Sequence, residues 1–412
     1  MAASDLSPSV QQEVARLAGL PEVRAAFARF RSGESQFALW QMEATRLAAP
    51  PFGEAPRGAW LAERFRELGL VDVQMDEVGN VFGVRPGYGS RFVALSAHID
   101  TVFPAATPLH IRQQGSRLFG PGVADNGAGI AAMLAVASVL GSGRISHALP
   151  FVFIGNVGEE GEGDLRGMRH VFATPRWRDA IAYSVVVDGA GADTVVAEAL
   201  GSRRFEVIMR GPGGHSWSDF GAPNPIIALS RAIEVFSQTP VPASPKTTFN
   251  VGVIRGGTSV NSIPESASMR VDLRSTSTAE IDRLERALRV ALDQALALEN
   301  RAAAQHGIRK PQVVQSEVVE IGNRPAGELS PDARLLKVIR AVDAQLGNTA
   351  QVQRASTDAN IPLSLGREAI AIGAGGSGGG AHTLQEWFDC NGRDLGLKRI
   401  LLTMLTLSGA GE

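Results

Sequence analysis

The spacing of hydrophobic residues predicts helices through the first part of the chain. From residue 1 to about 90, apolar side chains recur three and four positions apart, as they do on one face of a helix. Two prolines at positions 50 and 51 interrupt this spacing. We therefore expect helical structure up to about residue 90, with a break near residue 50. The spacing is clearest in Gln12–Leu17, Val23–Phe30 and Ala59–Leu68.

Short, nearly continuous apolar runs follow, and segments with helical spacing separate them. Strands that are covered on both faces of a parallel or mixed sheet have this character. Between the first two runs, Asn126–Leu140 is rich in alanine and aliphatic residues, which predicts a helix that Gly141 ends. The predicted strands are Phe92–Ala97, Phe151–Ile154, Ser184–Val187 and Ala369–Ile372.

The hydrophobic periodicity changes between residues 201 and 322. Strands and helices are predicted here in the order β-α-β-β-α-β, which is the order of ferredoxin-like α+β domains. The second helix is expected to start at Thr278, behind the capping box Ser277-x-x-Glu280. The predicted strands are Arg204–Arg210, Thr248–Ile254, Ser268–Arg274 and Gln312–Glu320, and the first helix is Pro225–Phe236.

The strand pattern of the main sheet resumes after about residue 325, so the segment between is predicted to be an insertion. We expect residues 1–200 and 323–412 to form one α/β domain, with a mixed sheet between two layers of helices. Residues 201–322 are expected to form a smaller, ferredoxin-like α+β domain within it.

Composition and charge exclude several classes of protein. Of the 412 residues, 44% are hydrophobic and 20% are charged, which is typical of a globular chain and excludes a disordered or fibrous one. The 40 Lys and Arg residues against 42 Asp and Glu leave no basic surface for nucleic acid or an anionic membrane. The one cysteine, Cys390, cannot form an intramolecular disulfide, and a buried or idle thiol is expected. With no signal sequence or long apolar segment, we expect a cytoplasmic location.

Candidate chemistry begins with polar residues near the ends of the predicted strands, the edge at which α/β sheets bind ligands. In His98-Ile99-Asp100, the imidazole could hold a metal ion while the carboxylate orients it. Asp125 lies in a glycine-rich turn at the start of a predicted helix, where an anion is favoured. Each has a purely structural alternative, namely a histidine bonded to a loop carboxylate and a helix N-cap.

Further acids follow two other predicted strands. Glu159 and Glu160 are adjacent and repel each other, unless a cation binds one and the other accepts a proton from water. Asp188 directly follows Ser184–Val187. The alternatives are a solvated loop and a turn-initiating aspartate. Together with the late His382, these residues supply the histidines and carboxylates that two zinc ions roughly 3.5–4 Å apart require.

In the order of these motifs, the chain resembles the co-catalytic metallopeptidases, a family that includes peptidase T, carboxypeptidase G, the aminoacylases and succinyl-diaminopimelate desuccinylase. The resemblance extends from about residue 45 to the C-terminus. The matching motifs are His98-x-Asp100, Gly-Val-Ala-Asp125-Asn126, Glu159-Glu160-Gly161, Asp188-Gly189, Gly-Gly214-His215-Ser216, Asn261-Ser-Ile-Pro264, Asp272-Leu-Arg274 and Gly-Ala-His382.

The resemblance implies a set of metal ligands. Asp125 would bridge two divalent ions, while His98 and Asp188 complete one ion and Glu160 and His382 complete the other. Zinc is the expected metal, and cobalt or manganese would also suit histidine and carboxylate ligands.

The resemblance also implies catalytic roles for three residues. Glu159 would be the general base, and Asp100 would support His98. His215 would donate a hydrogen bond to the oxyanion, as an equivalent histidine of related enzymes does across a dimer interface. The inserted domain is therefore expected to be a lid and to form a homodimer. The alternative for His215 is a histidine in a surface turn.

Substrate recognition is expected from a separate group of residues. The guanidinium of Arg274 suits the terminal carboxylate of a small substrate, and Asn261 with backbone N–H groups at Gly379 and Gly380 could complete that pocket. A solvated arginine at a strand end is the alternative for Arg274.

Three functions are consistent with these residues. The leading hypothesis is a zinc-dependent exopeptidase or dipeptidase that cleaves short peptides, because the family's aminopeptidases and dipeptidases have aspartate at the position of Asp188. The alternative is an amidohydrolase that acts on N-acyl or N-carbamoyl amino acids. A third hypothesis is an inactive binding protein, against which Glu159 and the complete ligand set argue.

Overall fold

The computed structural model describes residues 8–142, 145–305 and 313–410. The chain divides into two compact units, Met1–Ala199 with Gly327–Glu412 and Leu200–Ala326. The helices of the described residues are α1 (Pro8–Gly19), α2 (Pro21–Ser32), α3 (Glu34–Arg46), α4 (Ala55–Glu67), α5 (Gly127–Ser142), α6 (Arg166–Ala173), α7 (Pro175–Ala180), α8 (Pro225–Ser237), α9 (Thr278–Gln305), α10 (Arg334–Leu346), α11 (Asn360–Ser364) and α12 (Arg393–Leu407).

The strands of the described residues are β1 (Val71–Met75), β2 (Val81–Arg85), β3 (Phe92–His98), β4 (Arg112–Gln114), β5 (Arg117–Phe119), β6 (Phe151–Asn156), β7 (Ile181–Val187), β8 (Thr194–Ala199), β9 (Gly201–Arg210), β10 (Gly214–His215), β11 (Thr247–Gly256), β12 (Ser262–Ile263), β13 (Ser266–Ser275), β14 (Gln315–Arg324), β15 (Gly327–Glu328), β16 (Gln351–Ala355), β17 (Glu368–Ile372), β18 (Ser377–Gly379) and β19 (Trp387–Asp389).

The first unit is built on a mixed sheet with strand order β1-β2-β6-β3-β7-β17-β8-β15, and β16 also pairs with β8. The four strands β6, β3, β7 and β17 are mutually parallel, so their carboxyl ends lie at one edge of the sheet. A second, four-stranded sheet of this unit has the order β18-β19-β5-β4.

Both faces of the mixed sheet are covered, as its apolar runs predict. All six residues of β6 are buried. Phe151 and Phe153 belong to one hydrophobic core and Val152 and Ile154 to another, because successive side chains of a strand point to opposite faces. The predicted mixed α/β architecture is confirmed for this unit.

Two sequence-based predictions in this unit are wrong. Residues 70–90 are not helical but contain β1 and β2, and the alternating sequence of Val71–Met75 is typical of an exposed edge strand. Gly141 does not end α5, which continues to Ser142. A Cβ atom at Gly141 would lie 2.8 Å from the carbonyl oxygen of Leu68, so this glycine permits the close approach of α5 to the chain at the end of α4.

The second unit contains a four-stranded antiparallel sheet with strand order β11-β13-β9-β14. Helices α8 and α9 pack on it and share a core with strand residues such as Phe205, Val207 and Met209. The long elements follow one another as β-α-β-β-α-β. Helix α9 begins at Thr278, and the N–H of Glu280 donates to Oγ of Ser277 at 3.4 Å.

The last predicted strand of this segment starts at Gln312, which lies outside the described residues, and β14 runs over Gln315–Arg324. Among the described residues, none of the helices is both long enough and apolar enough to cross a membrane.

Candidate metal centre

Three neighbouring parallel strands deliver most of the candidate ligands to one edge of the main sheet. His98 is the last residue of β3, and Asp188 directly follows β7. Glu159 and Glu160 follow the end of β6. Because β6, β3 and β7 are adjacent and parallel, their carboxyl ends bring these side chains together.

The remaining two ligand candidates come from loops. Asp125 lies two residues before α5, and the peptide bond between Asp125 and Asn126 is cis. His382 follows β18 and has a φ angle of +64°, in the left-handed region that residues other than glycine rarely adopt. Such backbone persists only where surrounding contacts hold it, and functional sites are common locations.

Asp125 joins two groups of donor atoms. Its Oδ1 lies 3.1 Å from Nε2 of His98, which is also 3.8 Å from Oδ1 of Asp188. Its Oδ2 lies 3.1 Å from Nε2 of His382, which is 3.0 Å from Oε1 of Glu160. Within each group, the donor atoms all lie within 4.8 Å of one another.

Asp100 is buried between the two ligand-bearing strand ends. Its carboxylate accepts the N–H of Glu159 at 3.0 Å and that of Glu160 at 2.8 Å. Oδ1 of Asp100 also lies 3.5 Å from Nδ1 of His98. Burial alone would raise the pKa of Asp100, but the contact with His98 and the two backbone donors hold it below its usual value. Asp100 therefore links β3 to the loop after β6.

Glu159 is only 5% exposed. It offers a carboxylate oxygen to a third group of donor atoms, with His98 and Glu160, whose members also lie within 4.8 Å of one another. The two adjacent glutamates thus both face the cluster, and Glu160 also contacts His382.

The two histidines bind protons strongly because carboxylates surround them. Burial would lower the pKa of His98, but hydrogen bonds to Asp100, Asp125 and Asp188 raise it well above its usual value. A hydrogen bond to Asp125 is the main reason that the pKa of His382 rises to about 9. Burial raises the pKa of Glu160 to about 7. The carboxylates thus give the cluster an excess of negative charge, and bound protons or cations stabilise it.

The donor atoms suit a pair of divalent cations in type and in spacing. Histidine nitrogen and carboxylate oxygen are the ligands of catalytic zinc, and two ligands of a tetrahedral ion with bonds of about 2.0–2.1 Å lie roughly 3.3 Å apart. The shortest contacts of the cluster, from 3.0 to 3.8 Å, bracket that separation. Asp100 contacts the other ring nitrogen of His98. A carboxylate in this position is a usual partner of a metal-binding histidine.

A cavity of about 580 Å³ adjoins Asp125 within the first unit. Its walls are mostly glycine and alanine residues, among them Gly379, and Asp193 also lines it. Gly380 has a φ angle of +70° and accepts a hydrogen bond from the N–H of Thr383 at 3.1 Å. The walls thus leave room for a small substrate next to the acid–histidine cluster.

The other predicted residues lie in the second unit. His215 and Asn261 lie on one short ribbon, in which β10 pairs with β12 and the N–H of Ser216 donates to the carbonyl of Asn261. Arg274 is on β13 of the larger sheet, and its Nε donates to Oδ2 of Asp272 at 2.6 Å. His215 and Asn261 are exposed and Arg274 is half-buried.

Several polar residues around the cluster were not predicted to be functional. Asn126 donates to the carbonyl of Val187 at 2.8 Å, and its Oδ1 accepts the N–H of Gly189 at 3.2 Å, so it holds the chain on either side of Asp188. Its position in the Asp125-Asn126 motif was a signal. Glu386 and Gln41 contact the loop of Asp125, and Asp358 is fully buried against Asn156. These three residues differ from other polar residues of the chain only in being buried. Burial of a polar side chain is not visible in a sequence.

The fold and the donor set together define an α/β protein with a histidine–carboxylate cluster, a candidate metal centre, at the carboxyl edge of its sheet. The family model described as peptidase family M20/M25/M40 matches residues 94–404, which is more than half of the chain. The chain belongs to this family.

Individual relatives differ in their activities. A probable carboxypeptidase of Aspergillus clavatus is 32% identical over 203 residues, which cover 44% of this chain and 44% of that protein. Succinyl-diaminopimelate desuccinylase of Nitrosococcus oceani is 28% identical over 252 residues, 57% of this chain and 66% of the other. The chain spans about half the length of the curated carboxypeptidases that it matches.

The crystal structure of aminopeptidase PepT from Bacillus cereus superposes with a TM-score of 0.72 and covers 91% of this chain and 98% of that one. At 19% identity, this similarity shows a shared fold.

Proposed function

We propose that the protein is a two-metal exopeptidase or dipeptidase that hydrolyses the amide bond of short peptides. One observation carries this proposal: Asp125 presents one carboxylate oxygen to His98 and the other to His382, each within a separate group of donors. A carboxylate that faces two ligand sets in this way suits a bridging role between two cations.

Each cation would have its own ligands besides Asp125. His98 and Asp188 would hold one, and Glu160 and His382 the other, with zinc, cobalt or manganese as the metal. When bound, such a pair of cations lowers the pKa of water and polarises the scissile carbonyl. The cluster has more carboxylates than histidines, and this excess of negative charge supports the binding of two divalent cations.

Glu159 is our candidate for the general base. Its backbone N–H donates to Asp100, which limits movement of the loop, and its carboxylate lies within 4.8 Å of donor atoms of His98 and Glu160. It would accept a proton from the attacking water and deliver it to the leaving amine. Asp100 would keep the imidazole of His98 oriented.

His215 is our candidate for the oxyanion donor. Its Nδ1 accepts the N–H of Trp217 at 3.2 Å, so a neutral imidazole carries its proton on Nε2 and can donate from there. We further propose that the second unit, with its ferredoxin-like order of elements, is a lid and the dimerisation domain.

Arg274 would bind the terminal carboxylate of the substrate. Its contact with Asp272 orients the guanidinium, whose planar fork matches a carboxylate. Asn261 and the backbone at Gly379 and Gly380 would complete this recognition. The position of Gly379 beside the cavity at Asp125 supports its share in binding.

A second candidate function is an amidohydrolase that removes an acyl or carbamoyl group from an amino acid. The similarity to a desuccinylase over 66% of its length favours it. This enzyme would use the same ligands, the same general base and Arg274.

The experiment combines metal analysis with a substrate panel. We expect about two zinc, cobalt or manganese ions per chain, and turnover of dipeptides or tripeptides with a higher kcat/KM than N-acyl or N-carbamoyl amino acids. Turnover of the acylated amino acids alone would contradict the peptidase and favour the amidohydrolase. No bound metal after reconstitution would exclude both.

Replacing the general base tests the mechanism directly. Glu159→Ala should lower kcat by about 10²- to 10⁴-fold, the contribution of general base catalysis, while the metal content stays unchanged. The matched control is Glu162→Ala, an exposed glutamate of the same loop, which should retain wild-type kcat. Wild-type turnover by Glu159→Ala would remove this residue from its assigned role.

A further inference from the structure

The loop Gly122–Asp125 is held by a carboxylate from a distant part of the chain. Oε2 of Glu386 accepts the N–H of Gly122 at 2.8 Å. Its Oε1 accepts the N–H of Ala124 at 2.7 Å and that of Asp125 at 2.8 Å. Glu386 is only 1% exposed. A buried carboxylate that accepts three backbone donors fixes the path of the loop that those donors belong to.

The carbonyl side of the same loop is held by α3. Nε2 of Gln41 donates to the carbonyl of Val123 at 2.5 Å, and Oε1 of Gln41 accepts from Nη2 of Arg393 at 2.6 Å. Gln41 and Arg393 are both fully buried. Helix α3, to which the sequence assigned no function, therefore contributes to the surroundings of Asp125.

Glu386 also belongs to the turn that carries His382. Its backbone N–H donates to the carbonyl of Thr383 at 3.3 Å, and its carbonyl accepts the N–H of Gly120 at 2.9 Å. One residue thus ties the segment of His382 to the segment of Asp125.

We propose that Glu386 is a positioning residue, which holds the Gly122–Asp125 loop so that the two oxygens of Asp125 face His98 and His382 at the same time. Gln41 supports the loop from its other side. This inference rests on the proposed two-metal function. Without the three accepted hydrogen bonds, the backbone of Asp125 could rotate, and one of its oxygens would leave its histidine.

The test substitutes the carboxylate by its closest neutral analogue. Glu386→Gln keeps the size of the side chain but puts an NH₂ group opposite a backbone donor. We expect its affinity for Co²⁺ to fall by about 10- to 100-fold, as for other residues that orient metal ligands. Affinity is measured by chelator competition, and the visible absorption spectrum of bound Co²⁺ should change as well. The conservative variant Glu386→Asp should recover part of the affinity.

The matched control is Glu368→Gln. Glu368 is a partly buried glutamate that, like Glu386, accepts a backbone N–H, from Leu335 at 2.8 Å, but it lies at the amino end of β17, away from the edge that carries the candidate ligands. This variant should bind Co²⁺ like the wild type, whatever its loss of thermal stability.

The outcomes separate the two proposals. If the wild type binds about two Co²⁺ ions and Glu386→Gln has the same affinity and spectrum, the positioning role is wrong and the two-metal function stands. If the wild type binds no Co²⁺, the two-metal function itself is wrong. Should Glu386→Gln not fold, Gln41→Met and Glu386→Asp replace it, and wild-type affinity in both would overturn the inference.

Discussion

The single thiol of the chain lies in a buried pocket of charged residues. Cys390 is 8% exposed, and its Sγ accepts from Nη2 of Arg393 at 3.1 Å. Burial raises the pKa of the Cys390 thiol to about 11, although the charge of Arg393 opposes this shift. The structure confirms a buried thiol, and its protonation at neutral pH makes it a poor nucleophile.

We expect Cys390 to react slowly while the protein is folded. With its pKa raised from 9.0 to about 11, the thiolate fraction at pH 8 is lower by about 100-fold, and burial slows access further. Labelling with Ellman's reagent at pH 8 should therefore be at least that much slower in the native protein than in guanidinium chloride. Labelling at the same rate in both conditions would contradict the burial of this residue.

At the scale of elements, an ion pair joins two helices of the first unit. Asp343 of α10 accepts from Nε of Arg399 on α12 at 2.6 Å and from its Nη2 at 2.9 Å. Nη1 of Arg399 donates to the carbonyl of Thr194 in β8 at 3.1 Å. The Arg399 side chain is fully buried, so this one residue links two helices and a strand.

Removing the charge of Asp343 should therefore destabilise the protein strongly. Asp343→Asn leaves a buried guanidinium without its counter-ion, which costs about 3–5 kcal/mol of the free energy of unfolding. Urea denaturation measures this loss.

The control is Asp332→Asn, which removes an ion pair to Lys337 from a residue with a 94% exposed side chain. It should cost at most about 1 kcal/mol. Equal losses in the two variants would show that the Asp343–Arg399 pair contributes no more than a surface pair.

At the scale of the whole molecule, the sheet of the second unit has strand β11 at one edge. Val253 and Ile254 of β11 are 37% and 59% exposed. An exposed edge strand with apolar side chains can pair with another chain, and this supports the proposed dimer.

We expect light scattering to give a mass twice that of the 43.4 kDa chain. Ile254→Lys should shift the protein towards the monomer, because a charged side chain on an edge strand opposes pairing. Met75→Lys is the matched control, since Met75 is 43% exposed on the edge strand β1 of the other unit and should leave the mass unchanged. An active monomeric wild type would disprove the dimer.

Prediction from the sequence succeeded where burial on both faces leaves a simple pattern. The run Phe151–Ile154 became β6 because a strand between two helical layers needs apolar residues at every position. The prediction failed for β1 and β2. There, an exposed strand and a turn produced a spacing of apolar residues that resembled that of a helix. The length of α5 was also underestimated, since a glycine inside a helix and one at its end look alike in sequence.

The sequence by itself determined the mixed α/β class of the fold, the family and the chemical types of the donor residues. These depend on hydrophobic periodicity and on residue identity, which are local properties. Only the tertiary structure decided that the two oxygens of Asp125 face different histidines, and that Glu386 and Gln41 hold its loop. Those contacts join residues up to 264 positions apart, and their geometry depends on strand order and burial, which no local pattern encodes.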